Sequence, residues 1–134
     1  MEKILDRLRY KLDKDGFIDW DIRCVDGSNV RAHPAAAGAS ETSKNRSNEP
    51  VDHALGCSRG GWGSKIHLVT CGNGVPLAAA VTAGQAHESK SFEAVMDAVR
   101  PKRHRPTWVL GDKGYSYPRV RQWYDRRGIW DEIP

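Results

Sequence analysis

The spacing of apolar positions changes along this chain, and each change marks an element. Ile4, Leu5, Leu8 and Leu12 recur every three to four residues, the stripe of an amphipathic helix over residues 2–14 that Gly16 ends. From residue 17 to 30 the spacing switches to two. Ile18, Trp20, Ile22 and Cys24 fall on one side, and Asp19, Asp21 and Arg23 on the other, as in a half-buried strand. Asp26 continues the parity of the apolar set, so its carboxylate is expected where the inward face meets the rim of the core.

Residues 34–64 lose periodicity, and Ala, Gly, Ser, Asn, Pro and charges dominate. That composition predicts a long irregular connection, ending in the Gly-rich basic stretch S-R-G-G-W-G-S-K. Such a loop in a small domain is functional or a plain linker. Gly60, Gly61 and Gly63 permit close backbone approach to a ligand such as phosphate. Residues 65–82 predict a hairpin turned at Asn73-Gly74, with Pro76 suited to a first strand position. Phe92, Val95, Met96 and Val99 give the buried stripe of a helix over residues 89–99. Trp108–Leu110 reads as a short buried strand leading to Asp112. Pro118 opens a helix with Val120, Trp123 and Tyr124 inward, Gly128 closes it, and a last strand begins at Ile129. The order predicts a mixed α/β plan, antiparallel strands first and parallel additions after the crossover helix.

The chain has 134 residues and a net charge of +4, with mean hydropathy −0.64. One domain with a real core fits this length. No run approaches a membrane span, and the N-terminus lacks a signal-peptide pattern, so a cytoplasmic product is expected. The mild basic charge permits polyanion binding without requiring it. Cys24, Cys57 and Cys71 are odd in number, which favours reduced thiols. His53/Cys57 and His67/Cys71 share a four-residue spacing. In a strand such positions lie ~13 Å apart and cannot share a zinc ion.

Asp112 draws attention because it follows the apolar run T-W-V-L-G. A carboxylate at the end of a buried strand is costly without a partner or a task. Asp26 occupies the same kind of position after W-D-I-R-C-V. Around them stand V-D-G-S-N-V-R-A-H, then D-H-A-L-G-C-S-R-G-G-W-G-S-K-I-H-L, then G-Q-A-H-E-S, then V-L-G-D-K-G-Y-S. These four segments, in this order, resemble the DDE transposases of bacterial insertion sequences, over most of the chain from about Ile18 onward.

The resemblance implies a ribonuclease-H-like catalytic domain over residues 17–134, with residues 1–16 a helical N-terminal remnant. It implies DNA as substrate and partner (transposon terminal inverted repeats and target), cut and joined with two divalent ions, Mg²⁺ above all. Asp26 and Asp112 match the family's first two metal-binding, catalytic acids, and two metals at the usual spacing need their carboxylates within ~6 Å. The family's third acid is a glutamate on a helix after the last strand. No residue of this chain matches it: Glu93, Asp131 and Glu132 stand elsewhere. The resemblance therefore implies a domain incomplete at its C-terminus and a chain that is weak or inactive alone. It leaves open a catalytically inactive fragment that binds DNA or pairs with an intact transposase or with itself. Arg31, Arg59, Lys65 and Lys113 are the expected DNA contacts. Lys113 is also readable as a turn lysine, His33 as a DNA-facing or a satisfied polar residue, and Trp62 as a base-stacking or a buried ring. His87 is expected to cap the helix that follows it.

Overall fold

The computed structural model describes residues 2–33, 54–100 and 104–134. Helix α1 spans Glu2–Lys14, followed by strands β1 (Ile22–Arg31), β2 (Gly56–Ser58), β3 (Gly61–Cys71) and β4 (Pro76–Ala83). Then come α2 (Glu88–Asp97), β5 (Trp108–Gly111), a single 3-10 turn (Lys113–Tyr115), α3 (Pro118–Asp125) and β6 (Trp130–Glu132). The six strands form one sheet in the order β3-β1-β5-β6, with β2 and β4 both paired to β3. β1, β2 and β4 run antiparallel to β3, while β5 and β6 add in parallel to β1. The arrangement fits the ribonuclease-H-like plan: antiparallel strands first, parallel strands after the crossover helix.

Helix α2 lies across β3 and β4 and against α3, so both helices cover the same sheet face. The core sits between them: Val25, Val69, Leu77, Phe92, Val95, Val109, Val120 and Tyr124 are buried. Phe92 holds the helices together, meeting the rings of Trp123 and Tyr124 edge-on at 5.2 and 5.4 Å. The opposite sheet face is open. Ile66, Val81, Trp108 and Trp130, one from each of four strands, are 37–65% exposed on it.

Several expectations need correction. The alternation read from residue 17 does not carry into β1. The chain bends at Trp20 and Asp21, and the strand begins only at Ile22. The bend resets the phase, so Arg23 and Val25 face the helices while Ile22, Cys24 and Asp26 turn to the open face. Asp26 is therefore exposed on the face opposite the packed core. The glycine-rich stretch is also not a loop. Residues 56–63 form a hairpin, Ser58 pairing with Gly61 across Arg59-Gly60; the earlier residues 34–53 of the expected connection lie outside the described residues. β5 is buried on one side only, at Val109. Trp62 is 42% exposed. The α1 stripe is largely uncovered, with Ile4, Leu5 and Leu8 exposed and Leu12 alone packed against the core. No helix among the described residues is long and apolar enough to cross a membrane.

Candidate active site

The parallel register of β1 with β5 decides where the two aspartates meet. Cys24 lies beside Leu110 and Val25 beside Gly111. Asp26 and Asp112 each follow this last pair by one residue, Asp112 just past the end of β5. Facing residues of adjacent strands are about 5 Å apart at their backbones and share a face. Both aspartates are exposed, and they open onto one groove of about 620 Å³ with Cys24, Leu110, Glu132 and Ile133.

Local backbone groups hold each carboxylate by one oxygen. Asp26 Oδ1 accepts from the Gly27 N–H at 2.7 Å. Asp112 Oδ1 accepts from the Gly114 N–H at 2.9 Å, capping the 3-10 turn. Among the described residues the second oxygen of each stays available to a ligand. Two anionic oxygen donors side by side, each pre-oriented by an N–H, are the donor chemistry that suits Mg²⁺.

A third carboxylate reaches the same neighbourhood from the helix face. His87 caps α2, its Nδ1 accepting from the Ser89 N–H at 3.3 Å, which fixes the first turn and with it Glu88. A Cβ on Gly27 would stand 3.3 Å from Glu88 Oε1 and 3.4 Å from the Tyr115 hydroxyl. A Cβ on Gly114 would collide with Glu88 Oε2 and stand 2.9 Å from Asp112 Oδ1. Glu88 thus occupies space that only glycine leaves free at Gly27 and Gly114, on the helix side of β1 and close to Asp112 Oδ1. Its Oε1 also meets Lys65 Nζ at 3.1 Å. Tyr115 is fully buried, and its hydroxyl has no hydrogen-bond partner. Burial holds that hydroxyl protonated well above the usual phenol range, with Glu88, Asp112 and Asp26 adding to the effect in that order. Among the described residues, no three His, Cys, Asp or Glu side chains are already closed around one point. His53 of the weighed zinc spacing lies outside the described residues.

Arg31, Arg59 and Lys65 gather elsewhere, along a second groove of about 570 Å³ beside the β2–β3 hairpin, with Trp62 and Gln85. Arg31 packs its guanidinium against Gly60. Lys65 is only 12% exposed and turned to Glu88. Lys113 stands apart from that groove, exposed directly after Asp112. Of the acids set aside, Glu93 pairs with Arg119 at 2.7 Å and Asp131 with Arg121 at 2.7 Å, both away from the aspartates. The Arg119 hydrogen bond holds the Glu93 carboxyl below its ordinary range. Glu88 was not singled out in the sequence. Its signal was weak: an acid in a first helical turn is ordinary dipole complementation.

The Transposase DDE domain family matches residues 20–130. The chain is similar to a putative transposase for insertion sequence element IS402 of Burkholderia cepacia. There the identity is 38% over 74 residues, covering 50% of this chain and 35% of that protein. It is also similar to a probable transposase for insertion sequence element ISH11 of Halobacterium salinarum, 29% identical over 130 residues, covering 93% of this chain and 33% of that protein. The chain thus spans about a third of the length of the curated relatives it matches. No solved structure gives a significant match.

Proposed function

This chain belongs to the DDE transposase family of insertion sequences, and on that premise we propose that it cleaves and joins DNA phosphodiesters at transposon ends, with Asp26 and Asp112 as its metal-holding carboxylates. The observation that carries this reading is the β1–β5 register, Val25 beside Gly111, which leaves two aspartates adjacent at the end of the parallel pairing. Two divalent cations bound there would activate the attacking oxygen and stabilise the leaving one. The chain's own residues do the rest. The Gly27 and Gly114 N–H groups fix the carboxylate rotamers. Lys113, exposed beside Asp112, is positioned for the phosphate under attack, and Arg31 and Arg59 for backbone phosphates further along the strand.

Residues 17–134 serve as the catalytic domain and residues 1–16 as a separate helical segment. The exposed Ile4, Leu5 and Leu8 support that division, since the core does not use them. DNA is the principal partner. A second transposase copy would find uncovered apolar surface on α1 and on the open sheet face.

The test is relaxation of a supercoiled plasmid bearing the element's terminal inverted repeats. Slow relaxation that requires Mg²⁺, Asp26 and Asp112 is expected. Relaxation indifferent to either aspartate, or a chain that binds no divalent cation, overturns the reading.

A further inference from the structure

We propose that a pocket on the helix-covered side of the sheet binds a phosphate group through Arg23, Arg105 and Arg127. The pocket measures about 260 Å³ and lies between the ends of α2 and α3 and the segment leading into β5, on a floor of Met96, Val99 and Ile129. It is separate from the aspartate site. Arg23 precedes Asp26 by three residues, ~10 Å along the strand, and faces the other side of the sheet. The inference therefore does not rest on the role given to the aspartates.

Arg23 carries the argument. It is only 6% exposed. Its Nη2 donates to the His104 carbonyl at 2.6 Å, while its buried Nε has no acceptor. No ion pair among the described residues includes it. Burial lowers its pKa, and no neighbouring charge acts the other way. A guanidinium taken out of water without a counter-charge is costly. An anion in the pocket would supply the missing half of the pair. Trp123 repeats the sign. It lines the same pocket, and its buried Nε1–H also lacks an acceptor.

Two more guanidiniums complete the cradle. Arg127 Cζ sits 4.1 Å from the centre of the Trp123 ring, which holds it at the wall. Arg105 lies against Gly128, where a Cβ would stand 3.5 Å from its Nη2. Each guanidinium presents five N–H donors in a fixed fork. Asp97 at the rim and the carbonyl ends of both helices oppose an anion. Three guanidiniums outweigh them, and that excess of charge and donors suits the several oxygens of a phosphate better than one carboxylate. Two sources carry such a group, a DNA backbone and a free phosphorylated compound.

Thermal unfolding of the full chain in sodium phosphate, against sodium chloride of equal ionic strength, tests the site. Phosphate is expected to raise the wild-type midpoint saturably. R105Q and R127Q are each expected to weaken the fitted phosphate affinity roughly tenfold or more. R126Q, at an exposed arginine outside the pocket, should bind as wild type. R23M removes the buried charge and should abolish the shift. If circular dichroism shows R23M unfolded before heating, R105Q and R127Q decide. Arginines that serve only the helix-end carbonyls predict equal midpoints in phosphate and chloride. That result, or a loss in R126Q equal to that in R105Q, overturns the pocket. So does a shift that vanishes in D26N, which would place the phosphate at the aspartates. Duplex binding at matched ionic strength then assigns the source. Affinity lower in R105Q than in R126Q assigns the pocket to DNA, and equal affinity assigns it to a free phosphorylated compound.

Discussion

Lys65 Nζ lies 3.1 Å from Glu88 Oε1, joining the middle of β3 to the first turn of α2, with the two side chains only 12% and 20% exposed. At that depth water screens the pair weakly, and removing one partner strands the other. Lys65→Ala and Glu88→Ala should each lower unfolding free energy by ~1–3 kcal/mol. The double variant should lose less than the sum, because the second truncation removes a charge already unpaired. Urea unfolding of the four proteins measures this; strict additivity would mean that the pair contributes nothing jointly.

Phe92 is the residue on which both helices depend. It is fully buried and touches the rings of Tyr115, Trp123 and Tyr124. Phe92→Ala leaves a cavity at the α2–α3 junction and should cost ~3–5 kcal/mol. Because Tyr115 leans on the same ring, the variant should also loosen the turn after Asp112. Amide exchange should rise at Gly114 and Tyr115 more than in β3.

The sequence was most legible where a repeat is long and uninterrupted. The α2 residues Phe92, Val95 and Met96 are buried as their spacing implies, and Val99 is buried too although the helix ends at Asp97; Asn73-Gly74 turns its hairpin, with Gly74 at φ 81°. The proline rules also worked, at Pro76 and Pro118. The failures share a cause. Alternation carries phase information only through continuous extended backbone, so the bend at Trp20–Asp21 inverted the expected faces of β1. The hairpin at Ser58–Gly61 escaped notice because β2 is three residues long and glycine-rich, with no periodicity to see. The adjacency of Asp26 and Asp112 follows from strand register, which the motifs suggested only through family resemblance. Glu88 had only the weak local signal of an acid in a first helical turn. Its approach depends on two glycines more than twenty residues away in each direction.

His67 gives stability a pH dependence. It is fully buried on β3, with Nε2 2.9 Å from Thr82 Oγ1 and Nδ1 unpaired. Burial pushes its pKa below the ordinary 6.5, nearby Lys65 pushes the same way, and Glu88 partly opposes them. The unfolded chain then binds this proton more readily than the folded one. The stabilisation is full above pH 6.5 and is lost as pH falls from there through the lower folded-state value. His67→Gln should flatten that part of the stability profile. Unfolding midpoints between pH 7 and pH 5 that decline equally in both proteins would locate the dependence elsewhere.

Arg31 and Arg59 share the groove beside the β2–β3 hairpin, and their proposed role is contact with DNA phosphates. Each phosphate contact removed should lessen the slope of log affinity against log salt by about one. Arg31→Ala and Arg59→Ala should therefore weaken binding to any duplex alike, and most at low salt. Lys65→Ala should change the slope less, since its ammonium is already engaged by Glu88. Fluorescence anisotropy across a salt series would read all three, and an unchanged slope in Arg31→Ala would remove that residue from the interface.

Asp112→Asn offers the cleanest separation of structure from chemistry. Asp112 Oδ1 caps the 3-10 turn by accepting from the Gly114 N–H. Asparagine keeps an acceptor oxygen there and caps about as well. Unfolding free energy should therefore stay within ~0.5 kcal/mol of wild type. What asparagine loses is the negative charge, and with it the attraction for a divalent cation. Several kcal/mol of transition-state stabilisation depend on such cations, so Mg²⁺-dependent plasmid relaxation should fall at least ~100-fold. Asp26→Asn should behave alike, its oxygen still able to accept from the Gly27 N–H. Matched melts with lost relaxation in both variants would tie the chemistry to charge at this pair. Retained relaxation in either would mean that the carboxylates meet at the end of β1 and β5 for a reason other than catalysis.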